Sequence, residues 1–325
     1  MSNFRVVSEE TLLRSFSKVS LQIEFMMGHL IKKLLQQVAK HGAYPAGHYH
    51  SPIPSRDEVL DYIESKKSTN SEPVGVEMNA DGQYNLLNEY ALFYKDLPFP
   101  EEQTPGIRFY YRNDWFGYSD AIFLYCFLRK YTPKKIVEVG SGFSSAVMLD
   151  SIDLVYTRRP EITFIEQNPD RLISLLKEGD RQQIKLIDDR IHNVPGDVFL
   201  TLEAGDLLFV DSSHVVKCGS DLQLLMFEIL PYLQPGVFVH FHDVFYPFDY
   251  PSEWLKEGRY WNENYFLRAF LSYNSEWRIV FFNGYVHRIF GELMREKMPL
   301  CAKNPGGSLY IQRKKEASQT QHPPF

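Results

Sequence analysis

The sequence is poor in cysteine, in long apolar runs and in excess positive charge. Its three cysteines lie far apart and form no C-x-x-C pair, so we expect free thiols in a reducing compartment. No apolar run approaches the roughly 20 residues that a membrane-spanning helix needs, and the first residues do not resemble a secretory signal. We therefore predict a cytoplasmic protein that does not bind membranes.

The balance of charge also limits the class of partner. A net charge of −6 argues against nucleic acid as the main partner, because proteins that bind a phosphate backbone usually carry a basic face. With 44% hydrophobic and 15% aromatic residues in a chain of 325, the composition is that of a globular, core-forming protein. The length allows one large domain, or a domain with a substantial extension.

The first third of the chain differs in pattern from the rest. Residues 19–38 carry apolar side chains at helical spacing with one polar face, which predicts a helix that packs on the protein's own core or supports a homodimer. We interpret residues 1–118 as a mainly helical and irregular N-terminal cap and residues 119–313 as the main domain. Residues 314–325 are polar and are predicted to form a disordered tail.

From residue 133 onward, short apolar runs alternate with helical patterns. The strand candidates are 135–139, 162–166, 184–187, 206–210, 237–241, 277–282 and 308–312. The helix candidates are 144–151, 169–177, 195–202, 221–233, 262–272 and 291–298, preceded in the chain by 57–66 and 119–131. Most of the first five strands lack polar alternation, which is typical of parallel strands covered on both faces. The alternation of strands and helices predicts an α/β fold.

A glycine turn, Gly140–Gly142, follows the first strand candidate. Glycines at this position let the backbone approach a ligand closely. Glu166 lies about 25 residues further on, where an acidic side chain can hold ribose hydroxyls. Ser145 stands where a dinucleotide fingerprint needs its third glycine, and Glu138 would repel a pyrophosphate. A nicotinamide-dependent oxidoreductase is therefore the weaker alternative.

Polar side chains also follow the fourth and fifth strand candidates. Asp211 and His214 come after the fourth, and His240, His242 and Asp243 come at the end of the fifth. Adjacent strands lie roughly 5 Å apart, so the two aspartates are expected to converge. Two carboxylates suit Mg²⁺, whereas a histidine ligand favours Mn²⁺, Fe²⁺ or Zn²⁺, or indicates that no metal binds. We interpret His240 as structural.

Three aromatic segments are candidates for covering a bound substrate, which is called the acceptor below. Aromatic walls suit a sugar or a flat ring, although the same side chains would equally serve to pack the N-terminal segment on the core. The acceptor-pocket candidates taken from these segments are His48, His50, Tyr118, Tyr246 and Trp254.

The motif Glu138-x-Gly-x-Gly142 with Glu166 resembles the class I S-adenosylmethionine-dependent methyltransferases. The resemblance covers residues 133–313 and includes the five-strand rhythm. It implies a Rossmann-like, seven-stranded, mostly parallel sheet of order 3-2-1-4-5-7-6 with helices on both faces, and S-adenosylmethionine (SAM) as cofactor. More narrowly, Asp211-Ser-Ser-His214 and His240-Phe-His-Asp243 resemble a bacterial subgroup that acts on small molecules or sugars.

The resemblance also implies roles for individual residues. Those implied to bind the cofactor are Glu138, Gly140, Ser141, Gly142, Glu166, Asp189, His192 and Asp211. One branch of the family binds a divalent metal through acids at the ends of strands four and five, which here implies Mg²⁺ or Mn²⁺ at Asp211, His242 and Asp243. In that branch a basic residue three positions after the first acid is the general base, and His214 occupies that position.

The predicted function is methyl transfer to a small-molecule or glycan acceptor, with His214, Asp211 and Asp243 as the catalytic set. O-methylation is the leading hypothesis, and N-methylation is a close variant because the sequence does not reveal the acceptor atom. A non-catalytic cofactor-binding protein is the third hypothesis. The intact acidic and histidine side chains at both strand ends argue against that third reading.

Overall fold

A computed structural model of the chain describes residues 43–66 and 72–314. The helix predicted at 19–38, and the predicted tail after residue 314, lie outside the described residues. Contacts within the chain divide it into two compact units. The first holds the described residues 43–66 with Leu255–Tyr260, and its helix α1 (Arg56–Lys66) buries Val59 and Ile63.

The second unit is built on one seven-stranded sheet. Its strands are β1 (Lys135–Val139), β2 (Glu161–Ile165), β3 (Lys185–Ile187), β4 (Leu207–Val210), β5 (Phe238–Phe241), β6 (Trp277–Phe282) and β7 (Leu309–Arg313). They are ordered β3-β2-β1-β4-β5-β7-β6. Strands β1 to β5 run parallel, and β7 pairs antiparallel with both β5 and β6. The predicted fold class is confirmed, and the predicted strands match the observed ones to within one residue at each end.

Helices connect the strands. After α1 they are α2 (Ala80–Tyr94), α3 (Tyr118–Tyr131), α4 (Phe143–Val155), α5 (Asp170–Leu175), α6 (Asp197–Leu200), α7 (Asp221–Leu224), α8 (Ser252–Lys256), α9 (Glu263–Leu271), α10 (Asn283–Ile289) and α11 (Gly291–Lys297). Single 3₁₀ turns lie at Asp180–Gln182, Ile191–Asn193, Leu230–Tyr232 and Pro299–Lys303. Helices α2, α8 and α10 were not predicted from the sequence. The helix predicted at 221–233 is α7 continued by a π turn and a 3₁₀ turn, because Pro231 has no N–H for the helical ladder.

Side chains alternate along each strand between two apolar layers. In β1, Ile136 packs in the layer that holds α2, α3 and α4, whereas Val137 packs in the opposite layer with α7 and α9. Helix α3 is buried without interruption from Ser119 to Leu128. Phe109 and Phe116 pack in the same layer as α3, so residues 72–118 belong to the unit that contains the sheet. The predicted domain boundary, by contrast, lay after residue 118.

The three cysteines are all free. Burial raises the pKa of the Cys301 thiol to about 12 and also raises that of Cys126, so both stay protonated at neutral pH, while Cys218 is exposed. Within the described ranges, no helix has both the length and the apolar character that crossing a bilayer requires.

Candidate active site

The glycine turn after β1 lies directly against the chain that leaves β4. Gly140 has φ 82°, in the left-handed region that favours glycine, and a Cβ at this position would lie 1.7 Å from the backbone oxygen of Asp211. The Asp211 N–H donates to Val139 O at 2.9 Å, and the Gly140 N–H donates to Ile165 O at 3.0 Å. The turn therefore touches the ends of both neighbouring strands, where open α/β sheets bind their ligands.

Glu138 lies beneath this turn and is fully buried. Its carboxylate accepts hydrogen bonds from the hydroxyl of Ser144 at 2.6 Å and from that of Ser145, both in the first turn of α4. Burial raises the pKa of Glu138 to about 8, and the two hydroxyls oppose that shift. Both oxygens are thus occupied inside the protein, where they support the turn. Contact between Glu138 and the cofactor stays a prediction.

We predict that Glu138→Gln changes the pH dependence of stability. The folded pKa of about 8 exceeds the ordinary 4.5, so wild type loses stability as pH rises through that window, at about 1.4 kcal/mol per pH unit. Glutamine keeps the shape without the charge. The unfolding free energy of the variant minus that of wild type should therefore be about 3 kcal/mol larger at pH 8 than at pH 5, measured by urea denaturation. The matched control Glu161→Gln, at an exposed carboxylate, should show no such gain, and parallel curves for Glu138→Gln and wild type would contradict the prediction.

Glu166, the first residue after β2, borders the glycine turn from the other side. One of its oxygens accepts the backbone N–H of Ser141 at 3.0 Å, and the other accepts the N–H of Asn168 at 2.8 Å. These two bonds fix the carboxylate beside the turn. The predicted contact with ribose hydroxyls is compatible with this position, because each carboxylate oxygen has a second lone pair.

A cavity of about 600 Å³ runs along the carboxyl ends of β1, β2 and β4. From the predicted cofactor set it is lined by Gly140, Glu166, Asp189, His192 and Asp211. Its volume lies in the range of small-molecule and cofactor sites. Asp189 also shapes the wall, because it accepts hydrogen bonds from the Arg190 N–H at 2.7 Å and the Asn193 side chain at 2.8 Å.

Four polar side chains meet where β4 and β5 end. His214 Nε2 lies 3.5 Å from Asp211 Oδ1 and 3.5 Å from Asp243 Oδ2. His242 Nδ1 lies 3.5 Å from Asp211 Oδ1 and 3.6 Å from Asp243 Oδ1. The register explains the meeting, because β4 and β5 are paired up to Val210 and Phe241. The structure therefore brings together four of the five polar residues that the sequence placed at these strand ends, all except His240.

His214 and Asp243 reach this position through unusual backbone conformations. Their φ angles are 59° and 57°, in the left-handed region that non-glycine residues rarely adopt. The backbone oxygen of His214 accepts the N–H groups of Asn262 and Glu263, each at 3.2 Å. These bonds to the start of α9 hold His214 in its conformation, and such strained residues are frequent at functional sites.

Glu263 sets the orientation of the His214 ring. Its Oε2 lies 2.8 Å from His214 Nδ1, and the residue is buried at the start of α9. Burial alone would lower the pKa of His214, but Glu263 and the two aspartates raise it above the ordinary value. With Nδ1 on Glu263, Nε2 points at Asp211 and Asp243. Glu263 could not be predicted from the sequence, because 49 residues separate it from His214 and no spacing pattern connects them.

Asp120, in α3, is a second site residue that was not predicted from the sequence. Its Oδ2 lies 3.7 Å from His242 Nε2, and its Oδ1 accepts hydrogen bonds from the Gly307 N–H at 3.0 Å and the Ser308 hydroxyl at 2.6 Å. Burial opposes a charge on His242, but the surrounding carboxylates raise its pKa well above the ordinary value. His242 is therefore buried between Asp120 and the strand-end aspartates, whose charges favour its protonated form.

His240 belongs to the core rather than to this cluster. Its ring stacks on Phe209 with 3.8 Å between centroids, and burial lowers its pKa well below the ordinary value. Neither ring nitrogen has a hydrogen-bond partner among the residues that the structure describes. The contacts agree with the interpretation of His240 as structural.

Of the acceptor-pocket candidates, Trp254 is connected to the cluster. Its ring lies 5.4 Å from that of Trp261, and the Trp261 ring lies 4.4 Å from that of His214, as measured between centroids. His48 and His50 belong to the first unit, where His48 stacks on a tyrosine. Trp254 therefore stays an acceptor-pocket candidate on contacts, with Trp261 as its neighbour.

The two tyrosine candidates have other partners. Tyr118 stacks on Tyr111 with 4.6 Å between centroids, and its hydroxyl donates to Glu101. Tyr246 packs against Tyr285 with 5.3 Å between centroids. These contacts do not join either tyrosine to His214, so their part in an acceptor pocket stays a prediction.

Asp211, His214 and Asp243 form a candidate cation site. Each offers one ligand atom, and these atoms lie within 4.8 Å of one another. Two carboxylates with one imidazole suit Mn²⁺, Fe²⁺ or Zn²⁺, and the carboxylates also suit Mg²⁺. The predicted ligand set contained His242 in place of His214, and in the structure the Nε2 atom of His242 faces Asp120. These residues therefore fit a divalent cation.

Sequence comparisons relate part of this chain to known proteins. Residues 137–244 match a family model described as "Methyltransferase domain". An uncharacterized protein of Archaeoglobus fulgidus is 32% identical over 166 residues, which cover 49% of this chain and 74% of that protein.

Two solved structures show a weaker likeness. The methyltransferase of Podospora anserina bound to S-adenosylhomocysteine (SAH) is 18% identical, with 81% of this chain and 99% of that chain covered and a TM-score of 0.39. An O-methyltransferase from Bacillus cereus in complex with SAH is 13% identical, with 79% and 97% covered and a TM-score of 0.36. Because these TM-scores are low, the fold assignment rests on the strand order of this chain itself.

Proposed function

We propose that this chain is a class I S-adenosylmethionine-dependent methyltransferase that methylates a hydroxyl group of a small-molecule or glycan acceptor. The matched methyltransferase domain and the strand order support the donor half of this proposal. The observation that carries the acceptor half is the position of His214 Nε2, which lies 3.5 Å from both Asp211 and Asp243 at the strand ends.

The donor would lie in the cavity along β1, β2 and β4. Glu166 would accept hydrogen bonds from the ribose hydroxyls, and the loop from Asp189 to His192 would border the adenine. The turn at Gly140 would bring the methionine part next to Asp211, because the two backbones touch there. This arrangement directs the donor methyl group toward the strand-end cluster.

Methyl transfer breaks the bond between the donor sulfur and the methyl carbon and forms a bond between that carbon and the acceptor oxygen. The hydroxyl proton must leave the acceptor, and His214 Nε2 is placed to take it while Glu263 holds Nδ1. Asp211 and Asp243 would stabilise the resulting imidazolium. The rest of the catalytic effect is alignment of donor and acceptor in the site.

A second arrangement uses the same three residues. Asp211, His214 and Asp243 would hold a divalent cation, which when bound would orient the acceptor hydroxyl and lower its pKa. Glu263 would then orient His214 from behind through its 2.8 Å contact with Nδ1, as carboxylates do for metal-bound histidines. The clustering of the three ligand atoms favours this second candidate.

Isothermal titration calorimetry tests whether the chain takes SAM as its methyl donor. We expect the chain to bind S-adenosylhomocysteine (SAH), the demethylated product of the donor, and not to bind NAD⁺. The reverse result would contradict the methyltransferase proposal and favour an oxidoreductase.

Release of SAH from SAM in the presence of a panel of catechols, phenols and sugars tests the acceptor half. Turnover that is lost with EDTA and restored by Mn²⁺ or Mg²⁺ would support the cation arrangement. Turnover that EDTA leaves unchanged would support His214 as the base. Binding of SAH without turnover of any hydroxyl compound, but with turnover of amines, would replace O-methylation by N-methylation.

A further inference from the structure

The side chain of Arg171 lies across the glycine turn. Arg171 is in the first turn of α5, and a Cβ placed on Gly142 would lie 3.0 Å from Arg171 Cδ and 3.8 Å from its Nη1. Gly142 has φ 176°, outside the left-handed region, and a Cβ there would press on the side chain of Arg171. The absence of a side chain at this position lets the arginine pass close over the turn.

Trp115 holds the guanidinium in this place. Arg171 Cζ lies 3.5 Å from the centroid of the Trp115 ring, which is a close cation–π contact. The side-chain oxygen of Asn113 accepts the N–H of Trp115 at 3.0 Å and that of Phe116 at 2.7 Å, and so fixes the loop. Trp115 is 58% exposed, so its ring covers the arginine rather than the core.

Within residues 43–66 and 72–314, Arg171 has no anionic partner. Its guanidinium forms no ion pair and donates no hydrogen bond to another described side chain or backbone oxygen. A guanidinium that is stacked through its face keeps the N–H groups along its edge available. Arg171 is therefore a positioned cation with free donors, beside the turn that the donor is proposed to occupy.

The methionine end of the donor carries two opposite charges. Its α-ammonium group suits the acidic side chains around the turn, but its α-carboxylate would be repelled by Glu166 and Asp211. A positive group is needed on the carboxylate side. Burial would raise the pKa of Asp211, and neighbouring positive charges, Arg171 among them, lower it, so the field of Arg171 reaches the turn.

We infer that Arg171, stacked on Trp115, binds the α-carboxylate of the methionine part of SAM and SAH. The inference rests on the proposed function, because it requires that this turn takes that donor. The planar fork of arginine matches a carboxylate with two parallel hydrogen bonds. The site would thereby select the intact amino-acid end of the donor over adenosine compounds that lack the carboxylate.

Isothermal titration of Arg171→Gln with two ligands tests this role. The ligands are SAH and its decarboxylated analogue, which keeps the adenosine, the sulfur and the amino group. We expect the Kd for SAH to rise about 10- to 100-fold, because a hydrogen-bonded charge is lost, and the Kd for the analogue to change less than about threefold. The control Arg181→Gln makes the same change of charge at an exposed 3₁₀ turn and should alter neither Kd.

A second variant tests the stack on tryptophan. In Trp115→Leu the guanidinium loses its cation–π contact, so the Kd for SAH should rise about two- to fivefold while the Kd for the analogue stays constant. Circular dichroism should show an unchanged fold, because Trp115 is exposed.

The outcomes separate the inference from the proposed function. If the unaltered chain does not bind SAH, the proposed function itself is overturned. If the unaltered chain binds SAH but Arg171→Gln raises the Kd for both ligands equally, the arginine only shapes the turn and the inference is overturned. Unchanged affinity of Arg171→Gln for SAH overturns it as well. Selective loss of SAH affinity supports it.

Discussion

Gly140→Ala is expected to lower the free energy of unfolding by more than about 3 kcal/mol and to abolish SAH binding. The added Cβ would lie 1.7 Å from the backbone oxygen of Asp211, and φ 82° is itself unfavourable for alanine. A backbone oxygen cannot turn away as a flexible side chain can. Relief of the clash must move Asp211, whose N–H bonds to Val139 across the β1–β4 pair. Urea denaturation and SAH titration measure the two effects.

The matched control for this change is Gly106→Ala. Gly106 has nearly the same backbone angle, φ 85°, but no atom lies within 4 Å of the position that a Cβ would take. Alanine there should cost only the conformational strain, about 1 kcal/mol. Equal losses at the two glycines would show that strain alone governs Gly140. Full stability and SAH binding in Gly140→Ala would contradict the close approach of the two strand ends.

His214→Gln is expected to lower kcat by about 10²- to 10⁴-fold, while the Kd for SAH changes less than about threefold. The imidazole faces the strand-end aspartates and is proposed to act on the acceptor rather than on the donor. Glutamine keeps a polar side chain of similar reach but does not take up a proton. The measurement uses an acceptor found in the hydroxyl panel. Turnover close to wild type would remove His214 from the catalytic set.

The pH profile of the wild type provides a second check on His214. Its pKa is raised, and only the neutral ring can accept a proton, so kcat/KM should increase with pH through a value above the ordinary pKa of histidine, about 6.5. Glu263→Gln removes a carboxylate that raises this pKa, so the increase should move to lower pH. A profile that is unchanged in Glu263→Gln would exclude Glu263 as a positioning residue.

The sheet could be predicted from the sequence because its strands are short, continuous apolar runs separated by clear helical patterns. Helix α2 shows why other elements could not. It contains Gly82 and two asparagines, which are poor helix formers, and it begins after Asn79 in a left-handed conformation. Distant contacts hold it, since Asn79 donates to Ile279 O at 2.8 Å and Gln83 accepts the Phe282 N–H at 2.8 Å.

The same distinction applies to the site. Asp211, His214 and Asp243 were found because the ends of neighbouring parallel strands must lie at one edge of the sheet. Glu263 and Asp120 were missed because they come from helices whose packing against that edge leaves no local pattern. The family resemblance implied His242 as the cation ligand and His214 as the base. The left-handed backbone at His214, which brings its ring to the aspartates, has no sequence signature.

The left-handed backbone at His214 and Asp243 lowers the stability of the fold while it holds the two side chains that are proposed to act in turnover. Each residue adopts a conformation that costs an L side chain of this kind about 1 kcal/mol or more, and that glycine adopts freely. A selection for thermal stability alone would therefore favour glycine at both positions and remove the imidazole and carboxylate together. Stabilising substitutions in this protein should therefore leave these two positions unchanged and be sought elsewhere in the chain.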